Sequence, residues 1–82
     1  MTDEPLIVYT SRSCVQCAAT LRALDAAGIA YEVVDLGNDQ DALVRLKNAG
    51  CRQAPVVEGA GRQWWGFRPD LIDEVAKERA GL

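Results

Sequence analysis

The sequence contains no histidine. That absence removes serine triads, Cys-His nucleophile pairs and every zinc site with an imidazole ligand, so an activated nucleophile here must be tuned by backbone dipoles or by a cation. Basic runs are missing too: 9 Lys and Arg against 12 Asp and Glu give a net charge of −3, whereas a nucleic-acid footprint needs clustered cations. No stretch approaches the roughly 18 apolar residues of a membrane span. The acidic opening Met1-Thr2-Asp3-Glu4-Pro5 lacks both the basic region and the apolar core of a secretory signal. Cysteine is scarce and odd in number. Three thiols do not suit a disulfide-stapled secreted scaffold, whose bridges come in pairs, and the compartment expected is a reducing cytoplasm. At 82 residues the chain is too short for two cores, so one domain is expected over 6–82 behind a tail at 1–5.

What is present centres on Ser13-Cys14-Val15-Gln16-Cys17, where an apolar run gives way to a helical pattern. Leu6 to Tyr9 reads as a strand covered on both faces. Ser13 with Gln16 matches a capping box, which places Cys14 in the first helical turn. Cys14, Cys17, Ala18, Leu21, Leu24 and Ala27 follow helical spacing, and Gly28 suits a left-handed stop. Ile29 to Val34 reads as a second strand, so the opening is a βαβ unit with a parallel pair. Asn38 is the N-cap expected for a second helix with Ala42, Leu43, Leu46 and Ala49 inward and Gly50 at its end. Ala54 to Glu58 and Gln63 to Trp65, joined by a glycine-rich loop, read as an antiparallel hairpin. Pro69 opens the last helix, with Leu71, Ile72, Val75 and Ala76 as its buried stripe. The order β-α-β-α-β-β-α, three helices on a four-stranded mixed sheet, is an α/β arrangement of the thioredoxin type.

A thiolate is the nucleophile in thiol chemistry, and a cysteine at a helix start faces unpaired N–H groups and the positive dipole end. Cys14 therefore reads as the attacking thiol and Cys17, one turn further in, as the resolving thiol. Arg12 either adds a nearby positive charge or is a solvated loop cation. A C-x-x-C also serves as half of a zinc or iron-sulfur site, but such sites need four ligands and only Cys51 remains, so no metal is expected. Cys51 itself reads as a buried small hydrophobe. The Ala54-Pro55 bond is open between cis and trans. Trp64 and Trp65 must point to opposite faces of a strand, one into the core and one outward as a partner anchor. Phe67 is either a second contact or a plug.

Cys14-Val15-Gln16-Cys17, Ala54-Pro55-Val56-Val57 and Trp65-Gly66-Phe67-Arg68-Pro69-Asp70 together resemble the NrdH-redoxin family of glutaredoxin-like proteins, from Leu6 to about Ala80. The resemblance implies a thioredoxin fold, a cis peptide at Ala54-Pro55 facing the cysteines, no bound cofactor, reduction by a thioredoxin reductase, and electron delivery to the large subunit of class Ib ribonucleotide reductase. It implies a monomeric redoxin whose partners meet Arg12, Val15, Gln16, Ala54, Pro55, Trp65, Phe67, Arg68 and Asp70 around the two thiols. Ordinary glutaredoxins hold glutathione with a glycine pair and an acidic residue before the last helix. Here Gly66-Phe67-Arg68-Pro69-Asp70 puts a ring and an imino acid there, so weak glutathione binding is expected. Ser11-Arg12-Ser13 also departs from the family's usual basic residue and proline. The rival readings are a glutathione-dependent glutaredoxin, a thiolate carrier of metal or an iron-sulfur cluster, and an inert adaptor of the same fold.

Overall fold

A computed structural model of the chain describes residues 5–11, 14–51, 53–59 and 61–81. Strand β1 (Leu6–Thr10) leads into helix α1 (Val15–Ala27), followed by β2 (Tyr31–Asp35), a 3-10 turn at Leu36–Asn38, α2 (Gln40–Asn48), the hairpin β3 (Val56–Gly59) and β4 (Arg62–Trp65), and α3 (Pro69–Gly81). The sheet runs β2-β1-β3-β4, with β1 parallel to β2 and antiparallel to β3, and β3 antiparallel to β4. This is the predicted element order.

The alternation along β1 divides the interior in two. Leu6 and Val8 enter a cluster with Leu24 of α1, Val57 and Trp64 of the hairpin, and Ile72 and Val75 of α3. Tyr9 turns to the other face and packs with Ala42 and Leu46 of α2, together with Leu36, Cys51 and Val56. Among the described residues α1 and α3 therefore cover one face of the sheet, and α2 covers the other together with Leu36 and Cys51. Burying each large aliphatic side chain contributes about 1.5–3 kcal/mol before chain entropy is counted.

Element ends differ from the predicted ones for local reasons. Gly28 is left-handed (φ 72°), and the Ile29 N–H closes back on the Leu24 carbonyl at 3.0 Å, a Schellman closure that keeps Ile29 inside the helix cap. Strand β2 consequently starts at Tyr31, not Ile29, while the Ile29 side chain still enters the core. The 3-10 turn, capped by the Asp35 carboxylate on the Gly37 N–H, pushes the next helix along the chain. Asp39, not Asn38, is its N-cap, accepting the Ala42 N–H at 3.0 Å. Ala49 is the C-cap of α2 and is exposed instead of facing inward. On α1 the buried stripe is narrower than expected: Cys17, Thr20 and Leu24 face the sheet, and Ala18 and Ala27 face solvent. Pro69 occupies the first position of α3 as predicted, and Arg62 ties β4 to that helix through Glu74 at 2.9 Å and through Glu78.

Candidate active site

Cys14 and Cys17 are joined by a disulfide with their Cα atoms 5.2 Å apart. Cys14 does not lie in the first turn of α1; it is the N-cap itself, in extended backbone (φ −99°, ψ 102°), and its Sγ accepts the Cys17 N–H at 3.1 Å. The chemistry anticipated for a helix start survives the shift, because an N-cap side chain is the acceptor of the helix's unpaired N–H groups. No acidic residue stands in the first turn to oppose an anion there. The two sulfurs are unequal. Cys14 is half-buried beside Val15, which is 81% exposed, whereas Cys17 is only 4% exposed.

Ser13, the expected cap, and Arg12, the expected cation, lie outside the described residues. The capping box expected between Ser13 and Gln16 falls outside the described residues, and the N-cap is Cys14. The Gln16 Oε1 accepts the Phe67 N–H at 3.1 Å, because the chain after β4 brings a backbone donor within reach of the outer face of α1. Gly66, left-handed at φ 84°, makes the bend that allows this, and its own N–H donates to the Pro55 carbonyl at 2.8 Å. The Ala54-Pro55 bond is cis, with Pro55 buried and Ala54 half-buried. Gln16, Trp65, Gly66, Phe67 and Arg68 thus line one groove of about 500 Å³ beside the disulfide. Trp64 is buried while Trp65 and Phe67 are each 38% exposed, which resolves the tryptophan pair and makes Phe67 a surface ring instead of a plug. Arg68 grips Asp70 through two hydrogen bonds of 3.2 and 3.0 Å, and this pairing holds the Asp70 carboxyl below its usual range.

Ala54 does not line that groove and belongs to a second hollow of about 410 Å³ under α2, shared with Ser11, Leu43, Lys47, Cys51 and Gln53. Cys51 is a buried free thiol; burial, and secondarily the Glu58 charge, push its pKa up. Among the described residues no group of three or more His, Cys, Asp or Glu side chains is placed to hold a metal ion.

Two features of this region escaped the sequence reading. On the α2 face the Tyr9 hydroxyl donates to Glu58 at 3.0 Å, while Arg45 donates to both Tyr9 (2.8 Å) and Glu58 (3.0 Å). Gln63 donates to the same carboxylate at 2.7 Å. Burial pushes the Glu58 carboxyl up, but the hydrogen bonds from Arg45, Gln63 and Tyr9 outweigh it and hold it below its ordinary value. Nothing in the spacing of four residues on four elements signals this cluster. Thr20 is the other: it sits three residues after Cys17 and is wholly buried. Its i, i+3, i+7 relation to Cys17 and Leu24 was the available signal.

The glutaredoxin family model matches residues 6–64. The chain is 41% identical to the glutaredoxin-like protein NrdH of Salmonella typhimurium over 85% of its own length and 86% of that protein's. Its fold superposes on the solved structure of the glutaredoxin-like protein NrdH-redoxin from Escherichia coli with a TM-score of 0.84 and 38% identity, covering 88% of this chain and 95% of that one. With its four-stranded mixed sheet, three helices and Cys14–Cys17 pair at a helix start, the chain belongs to the NrdH branch of the glutaredoxin family, thioredoxin-fold thiol-disulfide oxidoreductases.

Proposed function

We propose that this redoxin is a thioredoxin-like reductant of protein disulfides: re-reduced by a thioredoxin reductase, it passes electrons to the large subunit of class Ib ribonucleotide reductase in the cytoplasm, as a monomer. The Cys14 thiolate attacks a disulfide of the partner, forming a bond to one sulfur and releasing the other as thiolate. Cys17 then attacks Cys14, which releases the reduced partner and leaves the Cys14–Cys17 bridge. The reductase returns two electrons and restores the dithiol. Val15, Gln16, Ala54, Pro55, Trp65, Phe67, Arg68 and Asp70 form or brace the surface that the partner meets, with Arg12, outside the described residues, as a further candidate contact.

One observation carries this choice over glutathione. In the groove next to Gln16 the Phe67 N–H is engaged by Gln16 and the Arg68 Nε and one Nη by Asp70, which leaves fewer free donors for a small anionic tripeptide. The NrdH-redoxin of Escherichia coli, 38% identical, is described as having a thioredoxin-like activity profile. Oxidised protein supplied with NADPH and thioredoxin reductase is expected to turn over efficiently, and with glutathione and its reductase only slowly. Efficient turnover with glutathione alone overturns the proposal. Separately, Cys17→Ser is expected to trap a covalent complex through Cys14, and equal trapping by Cys14→Ser would reverse the two roles.

A further inference from the structure

Among the described residues Thr20 is the one buried polar side chain apart from the aromatic and thiol groups, and its hydroxyl makes no hydrogen bond within the disulfide-bonded chain. A threonine inside a helix commonly donates to the carbonyl four residues back, here that of Gln16, and this bond is not made. Helical side chains lean toward the N-terminus and cover the turn before their own Cα. Thr20 follows Cys17 by three residues on the same buried stripe, at a Cβ separation of about 5–6 Å, and its hydroxyl makes no hydrogen bond to the Cys17 sulfur while that sulfur is bonded to Cys14. The buried cluster on that face of the sheet is Leu6, Val8, Leu24, Val57, Ile72 and Val75 with Ile29 and Trp64, and the Trp64 indole N–H is a second buried donor without a partner. A buried polar group without a partner is disfavoured, and a sulfur that gains a proton or a negative charge becomes a better partner than one held in a disulfide.

We propose that the Thr20 hydroxyl donates a hydrogen bond to the Cys17 sulfur once the Cys14–Cys17 bond is broken, so that one donor is unsatisfied in the disulfide form and satisfied in the dithiol form. The inference rests on the assignment of Cys17 as the resolving thiol. Reduction by an incoming dithiol breaks the Cys14–Cys17 bond; the dithiol becomes a disulfide, and its two protons pass to the two chain sulfurs or to water. In the reverse direction the Cys17 thiolate attacks the Cys14 sulfur of a mixed disulfide, and the partner sulfur leaves as a thiolate that takes up a proton. Thr20 stabilises the Cys17 sulfur at both of these stages and is idle when the bridge is closed. It thereby favours the dithiol at equilibrium.

The test compares the wild-type chain with Thr20→Val, which keeps the shape and removes the hydroxyl, and with Thr20→Ser, which keeps the hydroxyl. Each is equilibrated with a graded dithiothreitol buffer, quenched by alkylation and weighed to give the fraction bridged. The equilibrium for T20V is expected to move about tenfold toward the disulfide, about 30 mV for a two-electron couple, and that for T20S to stay within about twofold of wild type. Thr20→Ala, also without the hydroxyl, is expected to move in the same direction and serves if T20V folds poorly. Thermal unfolding of both redox forms is measured alongside: T20V is expected to lower the Tm of the reduced form relative to that of the oxidised form. A purely structural role moves both forms together and leaves the equilibrium unshifted, and that result overturns the inference. A wild-type chain that forms no reversible Cys14–Cys17 bond overturns the redox assignment beneath it as well.

Discussion

The backbone N–H of Phe67 donates to Oε1 of Gln16 at 3.1 Å, although 51 positions separate the two residues. This bond ties one of the two residues between the cysteines to the segment that leads into α3. That segment is tied in turn to the cis proline by the Gly66 N–H. The surface a partner meets is thus anchored to the same turn that carries the sulfurs, and the first prediction tests that anchor. Gln16→Leu removes the acceptor and is expected to raise KM for a protein disulfide about fivefold, the equivalent of one hydrogen bond of about 1 kcal/mol, with kcat little changed. Gln16→Glu keeps an acceptor and is expected to stay near wild type. Steady-state kinetics on both variants decides it, and an unmoved KM in Q16L would show that the loop holds its place unaided.

The adjacent tryptophans separate stability from recognition. Trp64 lies in the core, so Trp64→Ala is expected to cost about 3–5 kcal/mol in chemical denaturation. Trp65 points the other way and is partly exposed, so Trp65→Ala is expected to cost less than about 1 kcal/mol and to show its effect in a higher KM for the protein partner. Large destabilisation by W65A would contradict the facing of the two rings.

Glu58 makes the fold sensitive to acid. Burial opposes its ionisation, but Arg45, Gln63 and Tyr9 more than offset that and hold its carboxyl below the ordinary value of 4.5. A depressed carboxylate contributes stability that is fully present above its unfolded value and is lost as pH falls through the folded one. Thermal midpoints are therefore expected to be level from neutrality down to about 4.5 and to fall below it. Glu58→Gln should start lower, by about 1 kcal/mol, and lose less on acidification. A variant that falls as steeply as wild type would assign the acid sensitivity to other carboxylates.

Cys51 is expected to be chemically quiet. Burial and the Glu58 charge raise its pKa above 9.0, so little thiolate is present at neutral pH. In the reduced protein, iodoacetamide should label Cys14 well before Cys51, as read by mass spectrometry of the digested protein over time. Cys51→Ala should retain full redoxin turnover at a stability cost of about 1 kcal/mol. Early labelling at Cys51 would place that thiol at the surface.

The order of elements along the chain, the parallel β1–β2 pair, the hairpin and the position of Pro69 were legible because each rests on local signals: apolar runs, glycine stops and proline placement; the order of the strands within the sheet, β2-β1-β3-β4, was not among the expectations. Cys14 and Cys17 were legible for the same reason, their spacing and their position at a strand-to-helix turn. The Gln16 bond to the Phe67 N–H was not legible because its donor lies 51 positions away, whereas Ser13-x-x-Gln16 carries only a local pattern, and the helix takes Cys14 as its N-cap. Asn38 lost the cap to Asp39 because the intervening 3-10 turn has no clear signature in Leu36-Gly37-Asn38. The Tyr9, Arg45, Glu58 and Gln63 cluster was invisible because each side chain looks like an ordinary surface residue until the sheet register brings all four together.

Among the described residues α2 is the one α-helix on its face of the sheet, and it is 9 residues long, whereas the opposite face is shielded by two helices of 13 residues each. The cheapest excursion out of the native state is therefore to lift α2 like a flap and leave the other layer, with the sulfur pair, in place. Redox competence and full compactness are in this way separable, and mild heat or denaturant should disturb the hollow around Cys51 while the disulfide end of the molecule still works.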